Sequence, residues 1–154
     1  MKKVLLAVDD TKGSLKAAES MVQLFPCIKP ETVVLLFVKK PEGLSLMDDA
    51  LMSVGEMETL KESLENTEYQ EQLDRKAQKI IDYFRNYLEE NGITGIRPVV
   101  KQGHPADEIL ATASEEEVDI IIIGSRGKRL HNLFMGSVSR EVSNRAEVPV
   151  LIAK

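Results

Sequence analysis

A chain of 154 residues with a formal net charge of −5 is long enough for one globular domain with a sizeable core. The acidic balance argues against a nucleic-acid-binding protein, because such proteins need a basic surface. No apolar run approaches the roughly 18 residues of a membrane span, and the start leads into a strand pattern without a cleavage site, so we expect neither a membrane segment nor a signal peptide. The single cysteine, Cys27, cannot form an internal disulfide, which favours a reducing, cytoplasmic compartment.

The first part of the chain predicts two strands buried on both faces, with a helix between them. Residues 4–8 and 32–38 are continuous rather than alternating apolar runs, as in strands of a parallel sheet that is covered on both sides. After the first run, Asp9 opens an acidic and hydroxyl-rich turn that can cap the next helix. Apolar residues then recur at helical spacing, and we expect Pro26 and Pro30 to end that helix. The recurring positions are Leu15, Ala18, Val22 and Phe25.

Residues 41–66 show only partial helical spacing, interrupted by glycines and aspartates, and we interpret them as a variable, partly helical excursion. A clear helix follows over about 67–91, because one apolar stripe runs along an otherwise charged sequence. Asn91-Gly92 is typical of a helix C-terminus, so we expect the helix to end there. The stripe consists of Leu73, Ala77, Ile80, Ile81, Phe84 and Leu88.

The second half predicts three more strands and two more helices. The strands are expected at 96–100, 118–123 and 149–153, and a short helix at about 137–145. His104, between a glycine and a proline, is interpreted as a helix-start residue, since proline is favoured in the first helical turn.

The resulting order, βαβαβαβαβ, predicts a single α/β domain with a five-stranded parallel sheet and helices on both faces. Right-handed crossovers leave few topologies. If the chain winds in opposite directions from the first and fourth strands, these two strands become neighbours at a switch point. Ligands of such sheets bind in the crevice outside the carboxyl ends of the strands at that point. The two strand ends are Asp9 and Gly124.

A glycine-rich segment follows the fourth strand. Residues 124–127 read Gly-Ser-Arg-Gly, and Gly136-Ser137 then opens the last helix. Glycines let backbone N–H groups approach an anion closely, and a helix N-terminus carries partial positive charge, so we favour a phosphate site. In the alternative interpretation the glycines only form a turn before the helix, and Ser137 is a simple N-cap. Positive charge beside the segment comes from Arg126, Lys128, Arg129 and His131.

These segments resemble the universal stress protein family over nearly the whole chain. The opening VLLAVDDTKGSLKAA, in which Asp9, Thr11 and Ser14 match, the second strand VVLLFVKKP and the pattern GSRG–GSVS carry the resemblance. The family's glycine signature, G-x2-G-x9-G-[S/T], has nine residues where this chain has the eight residues 128–135. The loop of this chain is therefore one residue shorter.

The resemblance implies a Rossmann-like fold of the adenine nucleotide alpha-hydrolase type that binds ATP or AMP, with Mg²⁺ as a further candidate ligand. It also implies a stress-response role as a regulatory or signalling homodimer that pairs through the C-terminal strand. Val38 would lie against adenine and Asp9 at the ribose hydroxyls. The other nucleotide-binding positions would be Gly124, Arg126, Gly127, Gly136, Ser137, Val138 and Ser139. The alternative is a member that binds no nucleotide and acts as a dimeric interaction module.

The sequence offers little support for catalysis. It has no Cys–His pair, no G-x-S-x-G, no H-E-x-x-H and no cysteine cluster. We therefore predict a binding protein rather than an enzyme, with slow ATP hydrolysis left open, and assign neither catalytic nor metal-ligating residues.

Overall fold

The computed structural model describes residues 1–40, 68–125 and 136–154, which form one α/β domain. The predicted excursion at 41–66 lies outside the described residues. Strands alternate with helices along the described chain, as the apolar pattern predicts. In chain order the elements are β1 (Lys3–Val8), α1 (Lys12–Ile28), β2 (Thr32–Lys39), α2 (Glu68–Glu90), β3 (Ile96–Gln102), α3 (Pro105–Glu115), β4 (Ile120–Gly124), α4 (Ser137–Arg145) and β5 (Val150–Ala153).

The five strands form one parallel sheet in the order β3-β2-β1-β4-β5. β1 is central: Val4 is in register with Val33 of β2 on one side and with Ile120 of β4 on the other. The expected switch point between the first and fourth strands is therefore confirmed. It places the carboxyl ends of β1 and β4 side by side.

The core is divided between the two faces of the sheet, which explains why the strand sequences are continuously apolar. On one face, α1 and α2 bury Met21, Phe84 and Leu88 against the side chains of β1 and β2. On the other face, α3 and α4 bury Ile109 and Val142 against the alternate residues of the same strands. Each fully buried aliphatic or Phe side chain contributes roughly 1.5–3 kcal/mol to this assembly.

Helix α1 continues through Pro26, contrary to the expectation that this proline ends it. Proline removes only its own N–H group, and Pro26 lies in the last turn, where one missing bond does not stop the helix. The helix ends at Ile28 because Lys29 adopts a left-handed conformation with φ 44° and donates its N–H to the Phe25 carbonyl at 2.8 Å. Cys27, in the same turn, is exposed.

The predicted helix over 67–91 is confirmed as α2. Ala77, Ile81, Phe84 and Leu88 of its stripe are buried. The stop is also confirmed, since Gly92 has φ 83°. None of the helices in the described part of the chain has the length and apolar character needed to span a bilayer.

Candidate functional site

A cavity of about 670 Å³ lies at the switch point, outside the carboxyl ends of β1, β2 and β4. The N-terminal residues of α3 and α4 also line it. Its surroundings combine an apolar wall, a carboxylate with two hydroxyls, and a stretch of main chain at the start of α4. The described lining residues that carry these three features are Val38, Pro105, Ile109 and Ile123; Asp9, Thr11 and Ser14; and Gly124, Ser125, Gly136, Ser137, Val138 and Ser139.

The carboxylate corner is built by Asp9, which follows β1. Its Oδ1 accepts hydrogen bonds from the Thr11 N–H at 2.9 Å, from the Thr11 hydroxyl and from the Ser14 hydroxyl at 2.8 Å. The Ser14 hydroxyl oxygen in turn accepts from the Asp9 N–H at 2.7 Å. Asp9 was expected either to cap the first helix or to bind a ligand. The N-cap of α1 is Thr11, and Asp9 instead organises the turn before it.

Gly124 ends β4 and is pressed against the start of α1. A Cβ atom at Gly124 would lie 2.3 Å from the carbonyl oxygen of Gly13, far inside van der Waals contact. Backbone packing therefore accounts for glycine at this position, independently of any ligand. The sequence shows both glycines but not that they meet, because the contact joins the first helix to the fourth strand.

The first residues of α4 and its N-cap line the cavity. Gly136, not Ser137, is the N-cap residue, and its N–H donates to the Ser125 carbonyl at 2.5 Å. The alternative of Ser137 as N-cap is thus wrong, because the helix already begins at Ser137, one residue earlier than a cap at 137 requires. The first bond within the helix runs from the Arg140 N–H to the Gly136 carbonyl at 3.1 Å. The N–H groups of Ser137, Val138 and Ser139 precede it and have no acceptor within the helix.

Ser139 contributes to this wall differently from Ser137. It is 2% exposed, and its hydroxyl lies 3.0 Å from the Gly136 carbonyl and 3.4 Å from the Ser125 carbonyl. The hydroxyl proton is therefore engaged with backbone, which ties the turn before α4 to its first turn. Arg126 and Gly127 of the predicted site, and the basic loop 128–135, lie outside the described residues.

The apolar wall contains Val38, half-buried near the end of β2 and packed against the core on the α3 side. Lys40, two residues further, also lines the cavity and is exposed. Lys40 was not predicted to line the cavity, because the pair Lys39-Lys40 was interpreted only as the end of the second strand. Its neighbour Lys39 turns elsewhere and pairs with Asp74 at 2.6 Å, and this hydrogen bond lowers the pKa of the Asp74 carboxyl. Pro105 and Ile109 were also missed as wall residues, since no residue of α3 was among the predicted site residues.

A polar cluster joins the start of α3 to the middle and the end of α4 and was not foreseen either. His104 is the N-cap residue of α3, as predicted, and its Nε2 lies 2.9 Å from Glu141 Oε2. Arg145 Nη1 donates to Asp107 at 2.7 Å and to Glu141 at 3.0 Å. Hydrogen bonds, chiefly from His104 and from Arg145 respectively, hold the pKa values of Glu141 and Asp107 below their usual values. The imidazole and two carboxylates are of metal-ligand type, but Arg145 already supplies positive charge to both carboxylates.

Comparison with known proteins identifies the family. The model of the universal stress protein family matches residues 1–154. The chain belongs to this family. A universal stress protein of Methanocaldococcus jannaschii is 31% identical over 157 residues, which cover all of this chain and 96% of that protein. The resemblance inferred from the strand and glycine motifs is thereby confirmed.

Solved structures of the family share the fold. A universal stress protein from Archaeoglobus fulgidus in complex with dAMP matches all of this chain and 98% of that chain, with a TM-score of 0.64 and 19% identity. A family protein from Arabidopsis thaliana with AMP bound matches all of this chain and 92% of that chain, with a TM-score of 0.60 and 18% identity. These likenesses confirm the predicted Rossmann-like arrangement of helices around a parallel sheet.

Proposed function

We propose that this protein is a stress-response protein that binds an adenine nucleotide, ATP or AMP, in the cavity at the switch point. The observation that carries the proposal is the composition of that cavity. A half-buried apolar wall, a carboxylate and a helix start whose first N–H groups have no acceptor within the helix surround one space of about 670 Å³. These are the groups that suit a purine, ribose hydroxyls and a phosphate. The AMP and dAMP held by two proteins of the same fold support the assignment.

Each wall receives one part of the ligand in this proposal. Val38 lies against the adenine, and Asp9 accepts hydrogen bonds from the ribose. Main-chain N–H groups at the start of α4 hold phosphate, where the helix dipole favours negative charge. The positions assigned to phosphate are Gly124, Arg126, Gly127, Gly136, Ser137, Val138 and Ser139. For Ser139 the contact is through its N–H, because its hydroxyl serves the backbone.

Isothermal titration with ATP, ADP and AMP, each with and without Mg²⁺, tests the proposal. We expect binding in the micromolar range, roughly −8 kcal/mol. Asp9→Asn should weaken binding because the ribose loses its charged acceptor, whereas Asp82→Asn, the same change on the exposed side of α2, should not. Absence of heat and of a thermal shift with about 1 mM of every nucleotide would overturn the proposal. It would favour the alternative of a dimeric interaction module without nucleotide.

The proposal includes binding without efficient turnover. The cavity can stabilise phosphate charge, but hydrolysis also needs an oriented water and usually a positioned base. We expect ATP hydrolysis with Mg²⁺ well below roughly 1 s⁻¹, the lower end of ordinary enzymes. A phosphate-release assay checks this. Steady turnover above that rate, abolished in Asp9→Asn, would show that the site is catalytic.

The proposed regulatory form is a homodimer that pairs through β5. This strand is one edge of the sheet, and Val150, Leu151 and Ile152 are each only half-buried within one chain. An edge strand with apolar side chains is a ready template for pairing with another copy. A two-fold axis beside β5 would cover both its unpaired main chain and these side chains.

A further inference from the structure

Ser14 stands out because both hydrogen bonds of its hydroxyl go to one residue. It is 4% exposed, in the first turn of α1. Its hydroxyl oxygen accepts from the Asp9 N–H at 2.7 Å and donates to Asp9 Oδ1 at 2.8 Å. One buried hydroxyl therefore bridges the main chain and the side chain of Asp9. This bridge fixes the direction in which the carboxylate points.

The hydrogen bonds around Asp9 determine which of its neighbouring groups can still donate to or accept from a ligand. A hydroxyl has one proton, and both Ser14 and Thr11 donate theirs to Asp9 Oδ1. The Ser14 hydroxyl is then not a donor for a phosphate. Oδ1 also accepts the Thr11 N–H, so three protein donors surround this single oxygen. Oδ2 of Asp9 has no hydrogen-bond partner within the part of the chain that the structure describes.

We propose that Ser14 is a positioning residue that holds Asp9 so that only Oδ2 is offered to the ligand, and that the site consequently reads one ribose hydroxyl rather than two. A carboxylate that binds a vicinal diol in the bidentate geometry places one oxygen at each hydroxyl, and Oδ1 of Asp9 is already occupied by three protein donors. The terminal torsion of aspartate is broad, so a carboxylate that is not held in place rotates freely in the unbound protein. It loses this rotational freedom when it binds the ligand, and the loss weakens binding. This inference rests on the proposed nucleotide binding and specifies which part of the sugar the site recognises.

The test compares AMP, 2′-deoxy-AMP and 3′-deoxy-AMP by titration calorimetry. With the parent protein, one of the two deoxy nucleotides should bind at least tenfold more weakly than AMP, and the other within about threefold. Ser14→Ala should weaken AMP about tenfold but change the poorly bound deoxy nucleotide by less than twofold, because that ligand lacks the hydroxyl that Asp9 reads. Ser20→Ala, a half-buried serine of the same helix away from the cavity, is the matched control.

A second set of variants separates positioning from direct contact and from folding. If Ser14 acts through Asp9, Ser14→Ala should have less than a twofold effect in the Asp9→Asn background. Thr11→Ala should mimic Ser14→Ala, and Thr11→Ser, which keeps the donor, should restore affinity. If Ser14→Ala does not fold, the inference is tested by Thr11→Ala and Thr11→Ser, together with the binding of AMP and the two deoxy nucleotides to the parent protein.

Two outcomes overturn the inference while the proposed function stands. One is an equal loss for all three nucleotides in Ser14→Ala, and the other is equal sensitivity of the parent to loss of either hydroxyl. Failure of the parent to bind any of the three would refute the proposed function itself.

Discussion

The contact between Gly124 and Gly13 shows how glycine allows close backbone packing at the edge of the cavity at the switch point. The glycine after β4 was predicted as part of a phosphate loop, and the structure adds a steric reason that concerns the fold. Sequence reasoning could assign Gly124 to the site because the strand end is a local signal. It could not foresee the helix backbone 2.3 Å from the absent Cβ, because that neighbour lies far away in the chain.

Gly124→Ala should therefore destabilise the fold before it affects any ligand. The added methyl group meets main chain rather than a flexible side chain, so α1 or β4 must shift, at a cost of about 1–3 kcal/mol or more. Urea unfolding gives the change in the free energy of unfolding. Gly92→Ala, where no atom lies within 4 Å of the new Cβ but φ is positive, provides a comparison governed by strain alone. Unchanged stability of Gly124→Ala would show that the close approach is not rigid.

Thr112 presents the opposite case, a buried polar atom that serves no visible purpose. Its hydroxyl is 1% exposed on α3 and has no hydrogen-bond partner among the described residues. Thr112→Val keeps the shape and removes the unsatisfied hydroxyl, so we expect the free energy of unfolding to rise by about 1 kcal/mol. Thr112→Ser, which keeps the hydroxyl and loses the methyl group, should instead lower it. A loss of stability in the valine variant would mean that a water or the undescribed chain satisfies this hydroxyl.

At the scale of elements, the predicted strands and helices agree with the structure where the signal is local. The apolar stripe of α2 and the proline at the start of α3 each predict the position of a helix to within a few residues. Pro26 misled the prediction because its position relative to the helix end, rather than its identity, decides whether it breaks the helix. The link between α3 and α4 through His104 and Glu141 was beyond reach, since these residues are 37 positions apart.

Another long-range link ties the start of β1 to the start of β4. Asp119 Oδ2 accepts the N–H groups of Lys2 at 2.6 Å and Lys3 at 2.9 Å, and these bonds, that of Lys3 first, lower the pKa of the Asp119 carboxyl from 3.8. A folded-state pKa below the unfolded value gives stability that is present above the unfolded pKa and is lost as pH falls through the folded pKa.

Asp119→Asn should therefore flatten the loss of stability below about pH 4, because an amide in that position does not titrate. The measurement is urea unfolding over a series from pH 6 to about pH 2.5. Asp82→Asn on the exposed face of α2 controls for the loss of one negative charge. Identical acid slopes for the parent and Asp119→Asn would rule out a contribution from this carboxylate.

For the molecule as a whole, the sequence predicted a five-stranded parallel sheet in which the first and fourth strands are neighbours, and the structure confirms both. Alternating elements and right-handed crossovers restrict the topology, and the switch between β1 and β4 then locates the crevice. Which groups line the crevice is less predictable. Lys40, Pro105 and Ile109 come from neighbouring strands and helices whose approach depends on packing, not on a motif.

The two edges of the sheet offer a direct test of the proposed dimer. Leu151→Lys should weaken it through lost apolar burial and the approach of like charges across the axis. Val100→Lys is the matched control, because Val100 is an exposed residue of β3, the opposite edge strand. Light scattering over a dilution series, with circular dichroism to verify folding, measures the effect. A parent protein that is monomeric at high concentration contradicts the proposal without any variant.

The central position of β1 also sets an order of events in time. Its two sheet partners are β2, which follows soon in the chain, and β4, whose neighbouring Asp119 is 117 positions from Lys2. During synthesis the chain up to Gln102 can pair β1 with β2 and β2 with β3, while the flank of β1 that will receive β4 stays open. The crevice, and with it any nucleotide site, exists only after β4 and the start of α4 have left the ribosome. A nucleotide can therefore stabilise the finished molecule by mass action but cannot guide the early nascent chain.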